Sequence, residues 1–272
     1  MDDARTAAER SPVVTIDVNV SLSRWPSRRL PLDETPRLVE RLVRHGVTQA
    51  WAGSFDAILH NDIAAVNHRL ATECSIADNG LLWPMGAVNL KLPNWKDDLK
   101  RCHETHGMRG IRLLPSSHGY GLDDPEFAEL LGMLSDFRML LQIAIRLEDP
   151  RTQHRLLSVK DVELAPLPSL MKEHPDVPVI LLNAFPAANS ELASLLATSA
   201  RVYFEIATLE GLAGLEKQIQ LLPPERLLFG SHAPFFMLES AVLKLQESAM
   251  PAPIQKQITH ENAELLINTL EK

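Results

Sequence analysis

Cysteine is scarce in this chain. Its 272 residues hold two, Cys74 and Cys102. Both fall in helix-like stretches, so spacing gives little support to a disulfide, and free thiols in a reducing cytoplasm are the plain expectation. Basic charge is also short. Lys and Arg number 27 against 35 Asp and Glu, and the formal net charge is −8 with no basic cluster. That argues against nucleic acid as a partner, because phosphate binding needs a concentrated positive face. No apolar run approaches the ~20 residues of a membrane span, and Met1–Ser11 is charged and polar with no apolar signal core. A cytoplasmic protein with no membrane partner is therefore expected. Also missing are a Gly-x-Ser-x-Gly elbow, a Walker loop, a His-Glu-x-x-His helix and any low-complexity tract. Their absence removes the best-known nucleophile, nucleotide and zinc-protease signatures.

What is present is a repeating alternation. Eight short β-rich runs are separated, for the most part, by helix-like stretches: Val13–Asn19, Val47–Ala52, Pro84–Asn89, Gly110–Leu114, Leu140–Ile145, Val177–Asn183, Arg201–Ile206 and Arg226–Gly230. Short apolar runs between amphipathic stretches argue for βα units around a parallel sheet. Helix punctuation agrees. Thr35-Pro36 reads as N-cap and first helical residue with Gly46 as the stop, and Asp124-Pro125 opens 126–137 in the same way. The stretch 61–78 stops at Asn79-Gly80, 95–106 stops at Gly107, and 260–270 reads as a final helix. No composition shift divides the chain, and about 250 residues suit one (β/α)₈ barrel. The expectation is an α/β fold: a single (β/α)₈ barrel domain over residues 1–272. An open doubly wound sheet is the rival. It would usually carry a glycine-rich turn after its first strand, where Ser21–Pro26 has no glycine.

Barrel strands alternate between the interior and the helix layer. On the first strand that parity groups Asp17, Asn19 and Ser21 inward, against Ile16, Val18 and Val20 outward. The same rule aligns Arg112 with Leu114, Gln142 with Ala144 and Arg146, and Val179 with Leu181 and Asn183. It also aligns Tyr203 with Glu205, and Leu228 with Gly230 and His232. Polar residues thus gather at the C-terminal strand ends, where this architecture places catalytic side chains.

Four phrases carry a family resemblance: Ile16–Ser21, Gly110–Leu113, Val177–Asn183 and Leu227–Pro234. In this order and spacing the chain resembles the amidohydrolase-related TIM-barrel hydrolases, the branch that includes lactonases and decarboxylases. The resemblance implies a metal centre. In that family the first strand normally ends in His-x-His, the sixth in a metal-binding His and the last in Gly-Ser-Asp-x-Pro. Here those positions hold Asn19, Ser21, Asn183 and His232, and the fifth-strand His would fall near Ala144. Amides and hydroxyls are poor substitutes for imidazole and carboxylate. No cofactor is therefore expected, although a single divalent metal such as zinc stays open if His60, His118, His154 and His232 form a relocated site.

Each candidate has a plain reading beside it. His232 is either a proton acceptor or a hydrogen-bonded core histidine. Arg112 and Arg146, placed inward, either clamp an anion or pair with Asp17 and Glu205. Arg146–His154 either walls the site, with His154 and Glu148, or is a solvated loop. His118, Gln142 and Glu205 complete the candidate substrate-binding set, and Trp25 and Phe235-Phe236 line the mouth. The resemblance implies a small-molecule hydrolase, and the altered ligands suit a metal-independent lactone or ester hydrolase acting on an acidic substrate. In that scheme His232 takes a proton and Asn19 and Asn183 donate to the oxyanion. A catalytically silent barrel that binds a small polar ligand or a partner is the second expectation. A mononuclear metal-dependent hydrolase is the third. A homo-oligomer remains open.

Overall fold

The computed structural model describes residues 14–77, 80–185 and 187–271. The Met1–Ser11 segment, Val13, Asp78 and the Asn79 of the expected Asn79-Gly80 stop lie outside the described residues. Eight strands run in chain order: β1 (Thr15–Leu22), β2 (Val47–Ser54), β3 (Leu82–Pro84), β4 (Gly110–Leu113), β5 (Leu140–Ala144), β6 (Val179–Leu182), β7 (Val202–Glu205) and β8 (Leu227–Leu228). Helical segments connect them. Every residue of β4 to β8 is buried. This is why these strands read as continuous apolar runs: in a parallel sheet covered by helices both faces are inside.

Two parallel ladders form, β1-β2-β3 and β4-β5-β6-β7-β8. Backbone bonds join them at both seams. Gly86 N donates to Gly110 O at 3.1 Å and Arg112 N to Gly86 O at 2.6 Å. On the other side Val18 N donates to Phe229 O at 3.0 Å and Ser21 N to Ala233 O at 2.9 Å. The eight strands thus close into a (β/α)₈ barrel. The third strand lies earlier than the expected Pro84–Asn89. After Met85 N bonds Ala52 O, the chain leaves β2, and Gly86 bridges to β4 instead.

Register decides which residues face inward. Arg112, Gln142, Ile180 and Tyr203 are matched across β4 to β7. Ile180 and Leu182 pack in the interior with Trp51 and Leu228, whereas Val179 and Leu181 pack with the helix layer. The parity expected for the sixth strand is therefore reversed. β1 departs from simple alternation as well. Asp17 pairs with Ala50 and Val20 with Ala52, three steps against two. Such a bulge switches faces part-way along a strand. Val18 consequently joins the interior cluster, while Val20 and Leu22 pack against Leu38 and Leu42 of the first helix.

Helix starts follow the expected punctuation with one shift. Thr35–Arg44 has Glu34 as its N-cap, and the Thr35 hydroxyl instead bonds Glu73 across to the next helix. The final helix, Asn262–Leu270, lies under the barrel: Ala263, Leu266 and Ile267 meet the interior cluster. Asn262 Nδ2 ties it to Pro224 O and Leu227 O, both at 2.8 Å. Cys74 and Cys102 are buried free thiols. No helix among the described residues is long and apolar enough to cross a membrane.

Candidate functional site

Asn183 follows β6 on the strand's outward parity, yet it reaches the mouth. Its backbone is left-handed, with φ 57°, a conformation that asparagine tolerates better than most residues. The turn brings its side chain to Asn19: Asn19 Nδ2 donates to Asn183 Oδ1 at 3.2 Å. Asn183 Nδ2 in turn donates to Arg146 O at 2.8 Å. Each amide spends one N–H in these bonds and has a second. Both side chains are buried.

His232 also has φ 57°. Its Nε2 lies 2.9 Å from Leu147 O, the carbonyl next to the one that holds Asn183. A carbonyl only accepts, so Nε2 carries the hydrogen and the neutral ring leaves a lone pair on Nδ1. That Nδ1 is buried without a partner among the described residues. The ring stacks on Phe235 at 5.1 Å and 28° and meets Phe236 edge-on at 5.1 Å. Burial pushes the imidazole pKa down to about 4; the Leu147 bond opposes this and the Arg112 charge adds to it. His232 is therefore neutral at physiological pH.

Glu205 closes the other side. Its Oε1 accepts Asn183 N at 2.5 Å and its Oε2 accepts Ala207 N at 2.6 Å. Burial raises its pKa to about 7 against those two bonds. Asp17 lies between β1 and β8, where one oxygen accepts both Asn19 N and Ser231 N at 3.0 Å. Burial pushes its pKa up too.

The two arginines expected to face inward differ. Arg112 is enclosed, and all five of its N–H groups are engaged by neutral acceptors. Nε donates to Gln142 Oε1 at 2.8 Å. Nη1 donates to Val20 O at 2.7 Å and Ser21 Oγ at 3.1 Å. Nη2 donates to Trp51 O at 3.0 Å and Val18 O at 3.4 Å. Its pKa falls to about 10 through burial, so it stays charged at neutral pH. Gln142 is locked with it, donating to Val18 O at 2.8 Å. Arg146 turns instead to the loop after β5 and grips Asp161 through Nε at 2.8 Å and through Nη2. Neither arginine forms the expected direct ion pair with Asp17 or Glu205.

The remaining histidines do not converge. His118 Nε2 donates to Ala57 O at 2.7 Å, and its Nδ1 is buried without a partner among the described residues. His154 and His60 are exposed. Among the described residues no group of three or more His, Cys, Asp or Glu is placed to hold a metal, which removes the relocated four-histidine centre. The family positions fare no better as ligands. Asn19, Ser21, Asn183 and His232 offer one imidazole among neutral amides and a hydroxyl, and such donors do not fit a tightly held divalent ion.

A lid of side chains packs beside His232 through Phe235. Trp25, from the loop after β1, packs edge-on against Phe55 at 5.2 Å and Phe235 at 4.9 Å. Arg28 bonds Glu148 at 2.5 Å and sits 5.1 Å from the centre of the Phe235 ring. Sequence reasoning did not single out Arg28. The available signal was its place three residues after Trp25, in the loop that leaves the first strand.

Comparison with known proteins agrees with the barrel fold. The amidohydrolase family model matches residues 26–268. A search of curated proteins finds no match. Several solved structures share the fold at low identity. 2,6-Dihydroxybenzoate decarboxylase from Rhizobium is 15% identical, with 94% of this chain and 98% of that one covered and a TM-score of 0.72. Dihydroxybenzoic acid decarboxylase from Polaromonas, bound to manganese and 2-nitroresorcinol, is 14% identical, with coverages of 95% and 97% and a TM-score of 0.72. 5-Carboxyvanillate decarboxylase from Novosphingobium aromaticivorans, also with manganese, is 15% identical, with coverages of 94% and 97% and a TM-score of 0.73.

Proposed function

The chain belongs to the amidohydrolase family, and from that premise we propose that it is a small-molecule hydrolase working without a divalent metal, with His232 as its proton acceptor. One observation carries the reading: His232 Nδ1 at the barrel mouth has no hydrogen-bond partner among the described residues, and the Nε2 contact with Leu147 O leaves it the unprotonated nitrogen. A buried lone pair that no protein group uses is available to a substrate or a water. Attack by water on a lactone or ester carbonyl would pass its proton to Nδ1, and collapse of the tetrahedral adduct would break the acyl C–O bond as that proton goes to the departing alcohol oxygen. The unspent N–H groups of Asn19 and Asn183 would meet the developing oxyanion. Manganese belongs to solved relatives, and the donor set here does not fit it.

The substrate class follows from the lid and the relatives. Trp25, Phe55 and Phe235 supply flat apolar faces, and the relatives named above are decarboxylases of aromatic acids. A lactone or ester of a small aromatic or otherwise planar acid suits both. The test is a panel of such compounds assayed with wild type and His232→Asn. The expected loss in turnover is on the order of 10²–10⁴-fold, the usual contribution of a general base. Equal rates would remove His232 from the mechanism.

A second reading has its own support. Arg112 has no N–H left for a substrate, and the lid is shut. A barrel that binds but does not react would show no turnover across the panel while an acid raised its melting temperature.

A further inference from the structure

Three arginines approach the mouth of the barrel, and they differ in spare capacity. Arg112 has committed all five N–H groups. Arg146 is held by Asp161 through both Nε and Nη2. Arg28 makes one bond, Nη1 to Glu148 Oε1, and its Nε and Nη2 have no hydrogen-bond partner among the described residues. Its side chain is 42% exposed, while that of Glu148 is 3% exposed. A carboxylate is thus buried at the mouth against a cation that still faces solvent. Burial of that kind costs free energy that only close pairing and hydrogen bonding offset.

The neighbouring rings define a stack. The guanidinium of Arg28 lies 5.1 Å from the centre of Phe235, and Phe235 lies 5.1 Å from His232 at 28°. From solvent inward the order is cation, ring, base, with a carboxylate at the cation. We propose that Arg28 anchors the carboxylate of an aromatic-acid ligand, and that Glu148 and Phe235 are the chain's own stand-ins for the carboxylate and ring of that ligand. The ligand displaces Glu148 from Arg28 and takes the ring layer above His232. This rests on the reading that a small molecule binds at the mouth, and it requires no turnover. A planar guanidinium with free N–H groups binds a carboxylate through two parallel bonds, which Glu148 alone does not supply.

The proposal makes the two halves of one ion pair behave oppositely. The probe is 2,6-dihydroxybenzoate, titrated calorimetrically, with uncharged resorcinol as its control. Wild type should bind the acid at least about tenfold more tightly than resorcinol, as expected for a charge-assisted contact. Arg28→Gln should bring the acid down to the level of resorcinol, and Arg28→Lys should recover part of the loss. Glu148→Gln should tighten acid binding by about threefold or more, because the competitor has gone. A purely structural ion pair would make both variants weaken binding or neither. Three results would overturn the proposal: wild type failing to bind the acid at millimolar concentration, Arg28→Gln binding within about twofold of wild type, or Glu148→Gln weakening binding. Melting temperatures near wild type for both variants confirm that each is folded. His232→Asn should still bind the acid, so failure of the catalytic reading and failure of this one are separable.

Discussion

His232 places an imidazole lone pair where solvent does not reach, and its ionisation can be read from two directions. Activity that uses Nδ1 as a base needs the neutral ring. With the pKa pushed down to about 4 by burial, the acid limb of the rate profile should fall near pH 4 and not near the ordinary histidine value of 6.5. A profile falling near 6.5 would mean the base is elsewhere. Stability gives the second view. The unfolded chain takes up a proton near pH 6.5, and the folded chain refuses it until about 4. The neutral ring's contribution is therefore complete above about 6.5 and is lost as pH falls towards 4. Relative to His232→Asn, wild type should lose about 3 kcal/mol over that window. Urea melts of both proteins at several pH values measure the difference, and parallel curves would contradict it. The residue itself was legible in the sequence, as the histidine where the family pattern has Asp. Its tautomer was not, because that depends on Leu147 O, which arrives from another strand's loop.

The first strand shows how one irregular element is held by another. The bulge between Asp17 and Val20 turns successive residues to different layers, and Arg112 on β4 reaches across to the carbonyls of Val18, Val20 and Trp51. Arg112→Met would leave buried acceptors without donors. A loss on the order of 3–5 kcal/mol in denaturant unfolding is expected. A variant within about 1 kcal/mol of wild type would show that water replaces the guanidinium. Gly53→Ala should act through the same contact, since a Cβ at Gly53 would lie 2.8 Å from Cδ of Arg112. The short apolar runs announced the strands well because β4 to β8 are buried on both faces. For the same reason they misled on orientation. Val179 to Leu182 are four buried residues with no polar marker to choose a face, so the inward position of Ile180 and Leu182 follows from register alone. Arg112 was readable as inward. The carbonyls it serves were not, because a bulge leaves no simple mark in composition.

The whole molecule keeps the family's frame with a different centre. The match over residues 26–268 and the two hydrogen-bonded seams belong to the frame. Asn19, Ser21, Asn183 and His232 form the proposed centre, and their donors do not suit a divalent ion. Protein purified without chelator should therefore carry zinc, manganese and iron well below one equivalent per chain. Added manganese should leave its melting temperature unchanged. Elemental analysis giving about one tightly held equivalent would reverse both statements.

Trp25, Phe55 and Phe235 come from the ends of three different strands and pack together beside His232, and Arg28 ties Glu148 from a fourth to Phe235. The consequence is one of timing. If a ligand enters only after those side chains part, its observed association rate cannot keep rising with concentration and should level off at the rate of opening. Trp25 touches the ring that must move, so stopped-flow fluorescence should record the event, with Trp25→Phe identifying the signal. A rate that stayed linear in ligand concentration up to the diffusion regime would mean that the mouth opens faster than molecules arrive.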